Sequence, residues 1–143
     1  MKTVLLLSGP NLSLTGQRQP EIYGGDTLEE VVNRARRAAA GAGWELEHVT
    51  AESEGPLIEA IHAARGKADA IVINPGALTH YAWALADALA TFDGRVVEVH
   101  LSQPAGREPW RRVSVIAPVA DASISGLGAH GYEVAVLAVA RMA

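Results

Sequence analysis

The apolar run 3-TVLLL-7 leads directly into the polar segment 8-SGPNLSLTGQRQPEIYGG-25, and this transition decides the fold. A short continuous apolar run is typical of a strand that is buried on both faces of a parallel sheet. Loops longer than about 12–15 residues usually either bind something or are disordered. This loop contains apolar anchors at Leu12, Leu14 and Ile22 between its turn-forming glycines and prolines, which favours an ordered, functional loop.

Beyond the loop, the pattern predicts alternating helices and strands. Helices are expected from a cap at Asp26-Thr27 to Gly41 and at 55–65, 80–90 and 129–141, and strands at 44–49, 70–73, 96–101 and 122–125. This alternation predicts an α/β doubly wound fold, a five-stranded parallel sheet with helices on both faces and the flavodoxin-like strand order. Strand 44–49 alternates polar and apolar residues, so we expect it at a sheet edge.

The composition excludes several functional classes. With 143 residues, of which 49% are hydrophobic, residues 1–143 are expected to form one globular domain. The net charge of −4 provides no basic surface for nucleic acid or an anionic membrane. No stretch approaches the roughly 18 apolar residues of a membrane span, and run 3–7 is too short for a signal peptide. We therefore expect a soluble cytoplasmic protein.

Three polar segments, 11–23, 74–80 and 98–102, follow the carboxyl ends of separate predicted strands. Because open α/β sheets bind ligands at this edge, we expect the segments to converge. In a strand, Glu98 and His100 lie on the same face, where a carboxylate fixes the tautomer of an imidazole and raises its pKa, as in a general acid. From this tripeptide alone, a solvated Glu and His at a strand end is an equally good interpretation.

Tyr23 is the candidate base in the loop. A tyrosine has an ordinary pKa of ~10, so it needs nearby positive charge to act near neutrality. Arg18 lies in the same loop, and Arg107 or Arg111 can approach from the segment after the fourth strand. For an isolated loop tyrosine, a simple packing role is the more common alternative.

Other kinds of site have weaker support. The segment 126-GLGAHG-131 matches GxGxxG, but a dinucleotide site also needs a βαβ unit and an acidic residue about 20 positions later, so close helix packing is the better interpretation. The five histidines show no metal-ligand spacing, and no metal site is expected. Lys2 and Lys67 are the only amine side chains, and neither is a good Schiff-base candidate.

Several long motifs occur together in the chain. They are 9-GPNL-12, 14-LTGQRQPEIYG-24, 73-INPGALTH-80, 86-ADAL-89 and 97-VEVHLS-102. In this order they resemble the type II 3-dehydroquinate dehydratases, and the resemblance covers nearly the whole chain, as far as Gly131-Tyr132. It implies a flavodoxin-like subunit, trimers packed into a homododecamer, and a cofactor-free anti elimination of water from 3-dehydroquinate through an enolate.

The resemblance also implies roles, position by position. Tyr23 would remove the C2 proton, and Arg18 would lower its pKa and close the loop. Asn11 would hold a water that stabilises the enolate oxygen, and His100, oriented by Glu98, would protonate the departing C1 hydroxyl. The implied substrate-binding groups are Asn74 and the backbone N–H groups of Leu101 and Ser102 for the carboxylate, His80 and Arg111 for the ring hydroxyls, and Asp87 from a neighbouring subunit. Arg107 would contribute to the field around the tyrosine.

The sequence departs from the family at a few positions. Ser8 stands where Asn is usual, and the segments Glu52-Ser53-Glu54 and Gln103-Pro104-Ala105 lack the usual histidines. Val113 and Val115 replace polar and aromatic residues. None of these is an expected proton-transfer residue, so activity is expected. Two alternatives stay open, namely a non-enzymatic flavodoxin-like module for a small anion and a nucleotide-binding oxidoreductase that uses the GxGxxG segment.

Overall fold

Five strands form one parallel sheet in the computed structural model, which describes residues 1–23 and 25–142 without the side chain of Tyr23. The strands are β1 (Lys2–Ser8), β2 (Trp44–Thr50), β3 (Ala70–Asn74), β4 (Arg95–His100) and β5 (Ala122–Ser125). They are arranged in the order β2-β1-β3-β4-β5, and each neighbouring pair is parallel. The predicted flavodoxin-like α/β fold is therefore confirmed, as is the edge position of β2.

Helices cover both faces of the sheet. They are α1 (Pro20–Tyr23), α2 (Leu28–Gly41), α3 (Glu54–Ala64), α4 (Trp83–Ala90) and α5 (Gly131–Met142). Short 3-10 helices lie at Leu12–Leu14, Gly76–His80, Pro104–Gly106, Pro109–Arg112, Ala117–Val119 and Gly128–His130. Helices α2 and α5 pack on one face, and α3 and α4 pack on the other. Within the described residues, no helix has the length and apolar character needed to cross a bilayer.

Strand β1 shows how an apolar run produces two buried faces. Val4 and Leu6 pack with the residues of α2 and α5, whereas Leu5 and Leu7 pack with those of α3 and α4. None of these four side chains is more than 3% exposed. Because β1 and β3 are adjacent and in register, Ser8 lies beside Asn74 at the carboxyl edge of the sheet.

The long loop closes against the start of α2. Thr27 caps this helix, because its side chain accepts a hydrogen bond from the Glu30 N–H at 3.2 Å while the Glu30 carboxylate accepts one from the Thr27 N–H. Gly16 has a φ of +93°, and a Cβ there would lie 2.9 Å from the Asp26 carbonyl oxygen. A glycine is therefore required where the loop folds back on itself.

One predicted helix begins later than the sequence pattern suggests. Residues 76–80 form a 3-10 helix, and α4 starts at Trp83 rather than at residue 80. Gly76 has a φ of 60° and Ala82 has a ψ of 76°, so the backbone turns twice before the regular helix begins. Apolar spacing does not detect such turns, and the pattern therefore extends the helix too far. Strand β4 is also displaced, by one residue towards the N-terminus at each end.

Candidate active site

The three predicted polar segments meet in a pocket at the carboxyl edge of the sheet. Among the residues that line it are Asn11, Arg18, Asn74, His80, His100, Leu101, Ser102 and Arg111, all of them predicted from the sequence. Arg107 lines the same pocket. Three strands thus bring together groups that are distant in sequence, as the rule for ligand sites in open α/β sheets predicts.

Three other predicted residues lie elsewhere. Glu98 lies behind His100 and is only 2% exposed. Asp87 is exposed on α4 and does not line the pocket of its own chain. Tyr23 ends α1, and its side chain lies outside the part of the chain that the structure describes.

The Glu98 carboxylate is held by three side chains. His100 Nε2 lies 2.6 Å from Glu98 Oε2, Thr79 Oγ1 donates to the same oxygen at 2.5 Å, and Ser114 Oγ lies 2.9 Å from Oε1. Burial acts to raise the pKa of Glu98, but the hydrogen bonds from His100, Thr79 and Ser114 and the attraction of His100 outweigh it, so the pKa lies below its usual range. Glu98 is therefore a fixed anion beside the imidazole.

This anion determines what His100 can do. Because Nε2 is hydrogen-bonded to Glu98, Nδ1 is the ring nitrogen that remains for a ligand in the pocket. The carboxylate also compensates the positive charge of a protonated imidazole. The arrangement fits a general acid that delivers a proton to a leaving group.

The pocket concentrates positive charge. Arg18, Arg107 and Arg111 all line it. Arg107 donates to Ser102 Oγ at 3.1 Å, and Arg111 donates to Glu108 while its guanidinium group lies 4.1 Å from the centre of the Trp110 ring. Three guanidinium groups around one small pocket favour an anionic ligand.

The loop residue Asn11 is fixed by a side chain from a different segment. Asn11 has a left-handed backbone with a φ of 68°, and its N–H donates to Glu52 Oε1 at 2.8 Å. Ser13 Oγ donates to the other oxygen of the same carboxylate at 3.2 Å. Glu52, which belongs to one of the segments that depart from the family pattern, therefore anchors the base of the loop.

The Gly126–Gly131 segment packs against the residues that follow β4 and line the pocket. The N–H groups of Gly126 and Gly128 each donate at 2.9 Å, to the carbonyl oxygens of Ser102 and Leu101 respectively. In a trans peptide the N–H points opposite to the carbonyl, so the bond to the Leu101 oxygen turns the Ser102 N–H away from Gly128. A Cβ on Gly131 would lie 3.3 Å from Val99 Cγ2, which supports the interpretation as close helix packing.

Sequence reasoning missed two residues of the polar cluster around Glu98. Thr79 and Ser114 lie 2.9 Å apart through their hydroxyl groups but are separated by 35 positions in the chain. No local pattern connects them, and only the packing of the segments after β3 and β4 brings them together. Across residues 1–23 and 25–142, no group of three or more His, Asp or Glu side chains is arranged to hold a metal ion.

Comparisons with known proteins agree on one family. Residues 2–140 match the family model described as Dehydroquinase class II. The chain is 48% identical over 136 residues to a 3-dehydroquinate dehydratase from Bacillus licheniformis, which covers 95% of this chain and 94% of that protein. It is 47% identical over 135 residues to a catabolic 3-dehydroquinase from Penicillium rubens, which covers 94% of this chain and 87% of that protein. The crystal structure of a type II dehydroquinase from Propionibacterium acnes has a TM-score of 0.94 and 38% identity, covering 99% of this chain and 97% of that one.

Proposed function

This chain belongs to the class II dehydroquinase family and is a 3-dehydroquinate dehydratase, and we propose that its residues perform a cofactor-free anti elimination through an enolate. The reaction converts 3-dehydroquinate into 3-dehydroshikimate and water, a hydro-lyase step of the shikimate pathway. The observation that carries the mechanism is the hydrogen bond between the buried Glu98 carboxylate and His100 at the wall of an arginine-rich pocket.

The proposal divides the reaction into two proton transfers. Tyr23 accepts the proton from C2, and the electron pair moves into an enolate whose oxygen is stabilised by a water held by Asn11. His100, oriented by Glu98, then gives a proton to the C1 hydroxyl, which leaves as water while the C1–C2 double bond forms. Arg18 lowers the pKa of the base and closes the loop, supported by its position in the pocket lining.

The remaining pocket residues hold the substrate. The carboxylate is assigned to the Asn74 side chain and the backbone N–H groups of Leu101 and Ser102. The Gly128 hydrogen bond to the Leu101 carbonyl, which turns the Ser102 N–H away from Gly128, supports the part that Ser102 has in this assignment. His80 and Arg111 are assigned to the ring hydroxyls. His80 is oriented for this role because its Nδ1 lies 2.6 Å from the Val113 carbonyl oxygen, which leaves Nε2 for a ligand.

The test of the reaction is direct. Purified protein is mixed with 3-dehydroquinate, and ultraviolet absorbance follows the conjugated enone carboxylate of 3-dehydroshikimate. We expect a rise that chelator treatment does not reduce and that needs no added nucleotide. If the substrate binds without any rise, the chain is a binding module and not an enzyme.

Replacing Tyr23 with Phe tests the proposed base. Removing the phenolic oxygen takes away the proton acceptor, so kcat is expected to fall by roughly 10²–10⁴-fold with little change in substrate affinity. The matched control is Tyr81→Phe, which removes the same hydroxyl from a side chain that is 60% exposed and outside the pocket lining. Full turnover by the Tyr23 variant would rule out this mechanism.

We also propose that the active form is a homododecamer, a tetramer of trimers, in which Asp87 of one subunit reaches the pocket of the next. Asp87 is exposed on α4, close in sequence to Trp83, which is 69% exposed. Burial of this ring between subunits would remove apolar surface from water. Light scattering of the purified chain tests the assembly, and a monomer with full activity would contradict it.

The remaining proposals concern the chain as a whole. We propose that residues 1–143 act as one catalytic domain and that the enzyme works in the cytoplasm. The single sheet to which all three parts of the pocket belong supports the first proposal. Fluorescence microscopy of a tagged chain tests whether the enzyme is located in the cytoplasm.

A further inference from the structure

A second polar network lies behind the pocket, on the side of Asn74. Ser8 Oγ lies 3.0 Å from the Tyr132 hydroxyl and 2.9 Å from His48 Nε2. Asn74 lies beside Ser8 in the paired strands β1 and β3, and its side chain acts to lower the pKa of the Tyr132 hydroxyl, as a hydrogen-bond donor does. Ser8 and Tyr132 are fully buried and Asn74 is 2% exposed, so these groups depend on one another for hydrogen bonds.

The direction of the hydrogen bonds follows from the chemistry of the groups. Asn74 Oδ1 accepts from the Gly76 N–H at 3.1 Å, so the amide NH₂ is the part that faces the Tyr132 hydroxyl. An amide nitrogen does not accept, and Tyr132 must therefore receive this hydrogen bond and donate its own proton to Ser8. Ser8 in turn donates to His48 Nε2.

The protonation states of His48 and Tyr132 agree with this direction of the hydrogen bonds. Burial, with the positive charge of Arg36, lowers the pKa of His48 to about 4, so its imidazole is neutral at neutral pH and has an acceptor nitrogen for Ser8. Burial also raises the pKa of Tyr132 to about 12, which keeps its hydroxyl protonated and able to donate. Each hydrogen bond, from Asn74 to Tyr132, from Tyr132 to Ser8 and from Ser8 to His48, then has one donor and one acceptor.

From this arrangement we propose that Tyr132 is a positioning residue that aims the Asn74 amide at the substrate carboxylate, with Ser8 and His48 fixing the direction of the Tyr132 hydroxyl. One N–H of the amide is held by Tyr132, and the second is available to a carboxylate in the pocket that Asn74 lines. Tyr132 does not touch the substrate and acts only through Asn74. The inference rests on the proposed function, in particular on the carboxylate role of Asn74.

The test is Tyr132→Phe, which removes one oxygen and keeps the ring that packs in α5. Since the carboxylate is bound equally in the ground state and the transition state, we expect KM to rise roughly tenfold while kcat changes by less than about threefold. Ser8→Ala is expected to raise KM by a smaller factor, and Ser8→Thr, which keeps the hydroxyl, is expected to restore the wild-type KM. Tyr81→Phe is the control for loss of a tyrosine hydroxyl.

A pair of inhibitors separates positioning from general loss of structure. The product 3-dehydroshikimate contains the carboxylate, and its methyl ester lacks the negative charge. In Tyr132→Phe, the inhibition constant of the acid should rise in parallel with KM, whereas that of the ester should stay unchanged. A fall in kcat alone, or equal weakening of acid and ester, would overturn the positioning role while wild-type turnover still supports the proposed function. Absence of turnover in the wild-type chain would overturn the proposed function and this inference with it.

Discussion

Two histidines at the carboxyl edge of the same sheet have opposite surroundings. His100, at the end of β4, is paired with the buried Glu98 carboxylate, whereas His48, in β2, is paired with the Ser8 hydroxyl and lies near Arg36. The first ring has an anion that compensates a positive charge, and the second has a neutral partner and a nearby cation. The partner of a histidine, and not the residue type, therefore determines whether the ring is suited to proton transfer.

The two networks also differ in where they lead. The Glu98 network opens into the pocket through His100, so a proton can pass between the ring and a ligand. The Ser8 network reaches the pocket only through the Asn74 amide, which donates a hydrogen bond but does not exchange a proton near neutral pH. The proposed roles follow this difference, with proton transfer assigned to the Glu98 network and orientation of Asn74 to the Ser8 network.

The same substitution in both histidines gives the largest expected difference. His100→Gln removes the proposed acid, and kcat should fall by roughly 10²–10⁴-fold. His48→Gln keeps an acceptor atom near the position of Nε2, so the Ser8 hydrogen bond can persist and kcat should stay within about threefold of wild type. Steady-state kinetics by product absorbance measures both. Equal losses of kcat in the two variants would contradict the distinction between the networks.

Glu98→Gln tests whether the charge, and not only the shape, of this side chain matters. The amide offers one acceptor oxygen where the carboxylate offers two, so the hydrogen bonds from His100, Thr79 and Ser114 can no longer all be made. We expect kcat to fall by roughly 10–100-fold and the free energy of unfolding to fall by about 2 kcal/mol. Urea denaturation measures the second effect, with Glu59→Gln on the exposed surface of α3 as the control. An unchanged kcat would mean that His100 does not need the anion.

Part of the site could be predicted from the sequence. The Glu98–His100 pair was predicted because strand residues two apart share a face, a property that is local to the chain. The convergence of the three polar segments was predicted because the strand order fixes which carboxyl ends meet. Both arguments use only short-range patterns and the topology of the fold.

The Ser8 network could not be predicted from such patterns. Ser8 is separated from His48 by 40 positions and from Tyr132 by 124, and no periodicity connects them. Ser8 was identified only as a departure from the family, with no partner assigned. The contribution of Thr79 was missed for a related reason, since the 3-10 helix that brings it to Glu98 depends on backbone turns that apolar spacing does not predict.

The smallest expected effect concerns pH and stability. His48 has a folded-state pKa of about 4 and an ordinary value of 6.5, so between these values the unfolded chain binds a proton that the folded chain excludes. The contribution of the neutral His48 ring to stability is complete above pH 6.5 and is lost as the pH falls towards 4. Because His48 is only partly buried, we expect this one group to lower the free energy of unfolding by roughly 1–2 kcal/mol over that range.

His48→Gln isolates this contribution, since it cannot titrate and keeps an acceptor for Ser8. Urea unfolding of the variant and the wild type at pH 7.5 and at pH 5 should give a smaller loss of stability for the variant, while Glu98 and the other acidic groups contribute equally to both. If the wild type and His48→Gln lose the same stability between the two pH values, His48 is not held neutral by the fold. The Ser8 hydroxyl would then have no assured acceptor, and the direction of the hydrogen bonds towards Asn74 would have to be assigned anew.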